Sequence, residues 1–230
     1  FSDGKNLTGE DLIFSLKAIK NPFTDAAPSR NYYKDIFNAE LVDGNPYEVR
    51  FRCSEVYFKH DIFIGANIYI LPKHIYDPES IMDKYSFDDL ENLLNKLSEE
   101  KQDLDSFENE PAYKFAQYFN SHEVSRNPVG SGAYLFKEWR TDDRVVLEKN
   151  TQYWNKKETN HLNSVKKLIF KTVKQYDAAL TGLKAQEIDI IRSLPAELFF
   201  NQTNSTKFND NNNKQSFYYP NYSYIGWNNE

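Results

Sequence analysis

Two successive changes of hydrophobic period, between Val165 and Ile191, constrain the fold of this chain more than any other feature. The run VKKLIFKTV (165–173) is apolar and strand-like, whereas QYDAALTGLKAQEIDII (175–191) places Tyr176, Ala179, Leu180 and Leu183 on one helical face. That helix runs into a second short apolar stretch, Ile188–Ile191, expected as a buried strand. Strand, helix, strand in that order argues for a parallel α/β unit, because a parallel neighbour is reached only by a crossover. The expected fold class is α/β, with mixed sheets and flanking helices.

The segments before this unit supply the other layers. NLTGEDLIFSLKAIKNP (6–22) reads as a helix with Thr8 as N-cap, Asp11 as its capping-box partner, and Asn21-Pro22 as its stop. Leu12, Ile13, Leu16 and Ile19 form its apolar face. A loop, PFTDAAPSR (22–30), leads to a short helix or turn around Asn31 to Phe37. In AELVDGNPYEVRFRCSEVYF (39–58) the turn Asp43-Gly44-Asn45-Pro46 separates two extended runs. Tyr47, Val49, Phe51 and Cys53 alternate with Glu48, Arg50 and Arg52, which predicts a hairpin with one wet face. IFIGANIYILPKHIYDP (62–78) is apolar up to Pro72 and is expected to be buried.

Ser80 to Asn120 is helical by composition, with Phe87, Leu90, Leu94 and Leu97 on one face and Tyr113, Phe115, Tyr118 and Phe119 marking a further helix. From Asn127 a glycine-rich turn gives way to a hairpin: strand Ala133–Trp139, turn Thr141-Asp142-Asp143, strand Val145–Lys149. NQTNSTKFNDNNNKQ (201–215) reads as a polar loop. SFYYPNYSYIGWN (216–228) resumes as an aromatic strand interrupted by Pro220.

Composition excludes several function classes. At 230 residues, 40% hydrophobic and 27% charged, the chain suits one large globular domain or two small ones. Its 28 basic and 34 acidic residues leave a net charge of −6 with no basic run, so nucleic acid is not an expected partner. Seventeen Phe, 16 Tyr and 3 Trp fill a core and also suit a ligand-binding groove. The single cysteine, Cys53, can form neither an internal disulfide nor a thiolate zinc site, and its strand pattern predicts a buried structural thiol. The chain opens with FSDGKNLTGEDL and closes with YIGWNNE, without polar fraying, and the natural protein is expected to extend in both directions.

No catalytic constellation stands out. The four histidines, His60, His74, His122 and His161, lack metal-site spacing. Ser131 is not in a nucleophile elbow, which needs a strand before it and a helix after. The same context argues against a phosphate loop: Gly130-Ser131-Gly132 is followed by the strand-like AYLFKEW, with no helix N-terminus to aim at an anion. The two glycines are expected to serve a positive-φ turn or a close approach of two segments. Asp142-Asp143, Asp88-Asp89 and Glu99-Glu100 read as solvated surface, and Asn204-Ser205-Thr206 as a chance sequon.

The order of motifs resembles a known family. FSDGKNLTGEDLIFSLKAI is similar to the F-x-D-G-x-x-L-T-A-x-D-V-x-F-S-L run of the bacterial extracellular solute-binding proteins of family 5. That is the peptide- and nickel-binding group that feeds ABC importers. YILPKH resembles the proline-lysine-histidine segment of that family, NPVGSGAYLFKEW…DRVVLEKNTQYWN its central signature, LKAQEIDII its L-x-x-G-E-I-D-I helix end, and YSYIGWNN its Y-x-x-x-x-F-N strand. These five blocks follow the family order and run from Phe1 to Asn229. Gly9 and Ala133 replace the usual alanine and proline, and Gln186 stands where glycine normally ends a helix, so that C-cap is expected to be built another way.

The resemblance implies part of a two-lobed α/β protein, periplasmic-binding-protein-like, of the type II peptide-binding class, closing on its ligand by hinge motion. Residues 1–125 would be a small subdomain and 126–217 the returning part of the first lobe, a β-hairpin plus a βαβ unit. Residues 218–230 would begin the strand crossing toward a far lobe outside this chain. That lobe carries the acidic residue that pairs with a peptide's α-amine, so the chain alone is not expected to bind ligand as the full protein does. The expected ligand-binding residues are Asn221, Tyr222, Ser223 and Tyr224 on the crossing strand, with Tyr32 in the loop Arg30–Tyr33. An extended strand there can pair with an extended peptide in sheet fashion. No catalytic residue, metal ligand or cofactor is implied.

The implied partners are an oligopeptide or other small solute and ABC permease subunits, and the protein is expected to act as a monomer. Its expected place is the periplasm, or the outer face of a bacterial membrane through a lipid anchor. A sugar or nickel chelate on the same fold, a secreted hydrolase using a carboxylate pair, and an interaction module with a flat aromatic patch stand as alternatives.

Overall fold

The computed structural model describes residues 1–99, 104–121, 125–155, 165–217 and 227. Its contacts divide the chain into two compact units, Phe1–Phe170 and Lys171–Glu230.

Helix α1 (Gly9–Lys20) is the centre of the first unit. It begins where expected, the Thr8 N–H donating to the Asp11 carboxylate at 2.9 Å, and ends with the Asn21 N–H on the Lys17 carbonyl at 2.8 Å. Its apolar surface is wider than a single stripe. Phe14 and Ala18 pack with Met82, Leu90, Leu93, Phe107 and Phe115, while Leu16 packs with Tyr33, Ile36, Ala39 and Phe87. A helix buried between two clusters shows apolar residues on two faces, which a one-stripe reading underestimates.

After the four-residue α2 (Ala27–Arg30) and a 3₁₀ turn at Asn31–Tyr33, strands β1 (Ile36–Val42) and β2 (Asn45–Cys53) form an antiparallel hairpin. The turn is tighter than the sequence suggested. Asp43 and Gly44 alone make it, at φ 48° and 74°, and Asn45-Pro46 already belong to β2. Positive φ at both central residues is the two-residue turn whose twist matches the strands. Val49, Phe51 and Cys53 are half-buried against exposed Glu48, Arg50 and Arg52, so the wet face is as expected, but Cys53 is not fully buried.

The segment after β2 departs from expectation. Residues 60–67 form a short helix, α3 (His60–Ile62), and a π-helical turn, Phe63–Asn67, and Tyr69 is 86% exposed. A continuous apolar run does not distinguish strand from helix, and here Leu71 and Pro72 enter the core while Phe63, Ile64 and Ile68 are half-buried against it. Helices α4 (Lys73–Tyr76), α5 (Phe87–Glu99) and α6 (Pro111–Phe119) complete the unit's helical layer. Phe87, Leu90 and Leu93 are the buried positions of α5, so the face runs through Leu93 where Leu94 was expected, and Ala112, Phe115 and Ala116 are those of α6.

The second hairpin, β3 (Tyr134–Arg140) and β4 (Arg144–Lys149), matches its sequence reading, with Asp142 at φ 57° in the turn. β5 (Lys167–Lys171) lies beside β4, giving the order β3-β4-β5. Gly130 and Gly132 correct an expectation. Neither has a positive φ, and a Cβ at either would meet nothing within 4 Å.

In the second unit, α7 (Tyr176–Lys184), α8 (Ala196–Asn201) and α9 (Thr206–Asn211) share a small core of Leu180, Leu198 and Phe208. The strand and helix of the expected βαβ unit are present. Ile188–Ile191 is not a strand: no described residue pairs with it, and Ile190 is 82% exposed. The low-complexity run at 201–215 is not only a loop. Ser205 caps α9 by accepting the Phe208 N–H at 3.2 Å, and Phe208, the run's one apolar side chain, is buried. At the end of α7, Gln186 takes the left-handed conformation (φ 62°) and closes a Schellman motif, Glu187 N–H to Gly182 O at 2.9 Å and Gln186 N–H to Leu183 O at 3.0 Å. The cap is thus the one glycine would make, held by glutamine.

Candidate ligand-binding site

Residues from the blocks that carry the family resemblance meet in space as staples. The Asp11 carboxylate accepts the Thr8 N–H through one oxygen and the Lys73 N–H, at 3.0 Å, through the other. Ser15 Oγ donates to the Asp11 carbonyl at 2.6 Å and accepts from the Leu71 N–H at 2.8 Å. His74 Nε2 lies 2.6 Å from Asp3 Oδ2. The Ser2 N–H donates to the Gly130 carbonyl at 2.8 Å, and the Asn150 side chain donates to the Gly132 carbonyl at 3.2 Å. Residues of LTGEDL and LPKH therefore hold one another, VGSGA is held by Ser2 and Asn150, and these polar atoms serve the scaffold. Burial works against ionisation of Asp3, but hydrogen bonds from His74 and the Lys5 N–H, with the nearby positive charge, hold its carboxyl below the ordinary 3.8.

Of the expected ligand-binding residues, Tyr32 is described. It sits in the 3₁₀ turn of the first unit, 55% exposed, with its ring 4.9 Å from that of Phe63. Phe63 in turn stacks on Tyr57 at 5.9 Å. Asn221, Tyr222, Ser223 and Tyr224 lie outside the described residues.

A cavity of about 640 Å³, larger than one in the first unit, lies within the second unit, ahead of the segment expected to cross between lobes. Its walls are the extended stretch Asp189–Leu194, Phe199 and Phe200 of α8, and the run Asn211–Phe217. One wall is stiffened by Lys214. Its Nζ donates to Thr203 Oγ1 at 2.9 Å and Asn204 Oδ1 at 2.7 Å, and sits 5.0 Å from the Phe199 ring centre. Those partners engage the ammonium and fix α8 to the run that follows α9. What remains for a ligand is aromatic faces, side-chain amides, the charged Asp189 and Arg192, and the backbone of an extended run, a surface for binding. Sequence reasoning missed this cavity because the Asn-rich run looked featureless; Ser205 three residues before Phe208 was the available signal.

Acid–base and metal chemistry find little to use. The larger cavity is lined by one carboxylate, Asp189, and the smaller by one, Glu91. No group of three His, Cys, Asp or Glu able to hold a metal occurs among the described residues. His60 lies 3.7 Å from Asp35, apart from His74 and Asp3, while His122 and His161 fall outside the described residues. Burial raises the affinity of the Cys53 thiol for its proton, and the negative charge of Asp35 adds to this, so thiolate chemistry is disfavoured.

Small sheets with flanking helices, as found here, match part of the fold of the periplasmic peptide-binding proteins. The oligopeptide-binding protein of Thermus thermophilus, solved with a pentapeptide, superposes with a TM-score of 0.61 at 21% identity, over 92% of this chain and 33% of that one. NikZ of Campylobacter jejuni, solved with Ni(L-His), gives a TM-score of 0.54 at 22% identity, over 81% and 28%. The family "Bacterial extracellular solute-binding proteins, family 5 Middle" matches residues 1–230, and the chain belongs to it. Among curated relatives, the oligopeptide-binding protein AppA of Bacillus subtilis is 27% identical over 230 residues, 99% of this chain and 33% of its own length. The chain thus spans about a third of the length of such relatives. No helix among the described residues is long and apolar enough to cross a membrane.

Proposed function

We propose that the chain is part of the extracytoplasmic solute-binding component of an ABC importer, capturing oligopeptides by cleft closure and delivering them to permease subunits. The observation that supports this most is the similarity to an oligopeptide-binding protein across 99% of the chain. The protein would work as a monomer, in the periplasm or lipid-anchored to the outer face of the membrane. Residues 1–125 would form the small subdomain, 126–217 the return into the first lobe, and 218–230 the crossing strand. On that strand Asn221, Tyr222, Ser223 and Tyr224 would pair with the peptide backbone, and Tyr32 would approach from the small subdomain. The cavity of the second unit would add aromatic and amide contacts to peptide side chains.

The function is binding without chemistry. Neither cavity unites two carboxylates among the described residues, which weighs against the hydrolase reading. The full-length protein, titrated with defined peptide pools, nickel–histidine and oligosaccharides while its melting temperature is followed, tests the proposal. A peptide at a hundred times its Kd is expected to add about 2.7 kcal/mol of apparent stability. A shift with nickel–histidine or sugar alone would reject peptides as the solute. No shift with any arm would reject solute capture itself.

A further inference from the structure

The smaller cavity, about 180 Å³, lies in the first unit, and its walls are basic in a chain whose net charge is −6. Lys20, Arg30 and Lys34 line it together with a single carboxylate, Glu91. Lys20 is the last residue of α1 and its side chain is 7% exposed. Its Nζ lies 3.3 Å from the Lys34 carbonyl oxygen and 3.9 Å from Glu91 Oε2. Charge-assisted bonds run to about 2.7–2.9 Å, and an ammonium has several protons to place, so this buried cation is under-satisfied. Glu91 is a loose partner, its side chain 57% exposed.

Arg30 is fixed from behind. Its Nε donates to the Ile19 carbonyl at 3.1 Å, and its Nη2 to those of Asn21 and Thr24 at 2.8 and 3.1 Å. Nη1 has no hydrogen-bond partner among the described residues. A guanidinium held by the carbonyls at the end of α1, a buried ammonium with long contacts and an exposed lysine converge on a space too small for a peptide. Burial lowers the proton affinity of Lys20 and Arg30, and a bound anion would oppose that effect.

We propose that this cavity binds a small oxyanion of the phosphate or sulfate class, held by Lys20, Arg30 and Lys34. A tetrahedral oxyanion spreads its charge over several oxygens and matches the guanidinium fork, so it bridges donors on separate segments over a wider span than a chloride ion does. Occupancy would tie the end of α1 to α2 and to the residue that follows the Asn31–Tyr33 turn. The ligand is distinct from the transported solute, so the proposal stands whatever that solute is.

The test uses the full-length protein, with inorganic phosphate, sulfate and glycerol 3-phosphate titrated by calorimetry against sodium chloride at equal ionic strength. Saturable phosphate or sulfate binding beyond the chloride effect is expected. Glu91→Gln removes the one carboxylate and should tighten binding about tenfold, while Lys34→Gln should weaken it by a similar factor. Lys34 is exposed and uses only its carbonyl in the packing, so that variant should fold normally. Equal binding of glycerol 3-phosphate would identify a phosphate ester as a source, and its failure beside tight inorganic phosphate would identify the free ion; both support the site. Phosphate and sulfate behaving no differently from chloride would overturn it, as would affinities that neither substitution changes.

Discussion

Replacing Gln186 by glycine should stabilise the protein, although it deletes a whole side chain. Gln186 is held at φ 62°, a conformation that costs an L-residue about 1–2 kcal/mol. Its side chain is exposed and makes no hydrogen bond among the described residues, and the two backbone hydrogen bonds of the Schellman motif use atoms glycine also has. Glycine gives back about 0.4–1 kcal/mol by loosening the unfolded chain. The expected net gain is therefore about 0.5–1 kcal/mol, or a rise of roughly 1–4 °C in melting temperature for a protein of this size. Urea unfolding should show a higher midpoint with an unchanged slope. Gln186→Ala is the control, because alanine keeps the strain and should gain nothing. A glycine variant no more stable than wild type, or an alanine variant as stable as glycine, would refute the account of this cap.

Two further perturbations read the first unit. A Cβ at Gly9 would lie 2.5 Å from Val49 Cγ2 and 2.6 Å from Leu41 Cδ2, so Gly9→Ala should destabilise by about 1–3 kcal/mol, and adding Val49→Ala should recover part of that loss in a denaturation series. In alkali, Lys17 and Lys20, lowered from 10.5 chiefly by burial, release their protons earlier in the folded chain than in the unfolded one. Stability should therefore rise as pH climbs from their folded values toward 10.5. Tyr33, Tyr76 and Tyr85, raised above 10.0 chiefly by burial, act oppositely: the unfolded chain ionises first, and stability falls as pH passes above 10.0. Melting temperature followed up to about pH 11 should rise and then turn down, and Lys20→Met should flatten the rising limb.

Much of the first unit was legible because local chemistry decides it. Thr8, Asp11 and Asn21 mark α1 by hydrogen bonds made within a few residues, and Asp43-Gly44 sets a hairpin through its own dihedral preferences. The second hairpin was equally plain in the alternation around Trp139 and Val145. The residues that carry the family resemblance were recognisable one by one, but their purpose was not. Asp11 to Lys73, Ser15 to Leu71 and Ser2 to Gly130 are contacts between distant positions, and no pattern within any one block discloses its partner.

The departures of the two apolar runs that were expected to be buried share a cause. Residues 62–70 and Ile188–Ile191 are apolar enough for buried strands, yet hydrophobicity reports an opportunity for burial, and burial needs a neighbour. Around Ile190 no described residue supplies a ladder, so the stretch stays exposed; around Phe63 the chain coils into a π-helical turn instead. Both cavities are assembled from segments that look unremarkable alone: an Asn-rich run in one, a lysine, an arginine and a helix end in the other. The α/β class, the caps of α1, the Asp43-Gly44 bend and the family resemblance could be read from residue order, because each rests on residues near one another in the chain. Which side chains meet, which strands find partners and where a ligand can enter emerge only in the folded molecule, because long-range packing sets them.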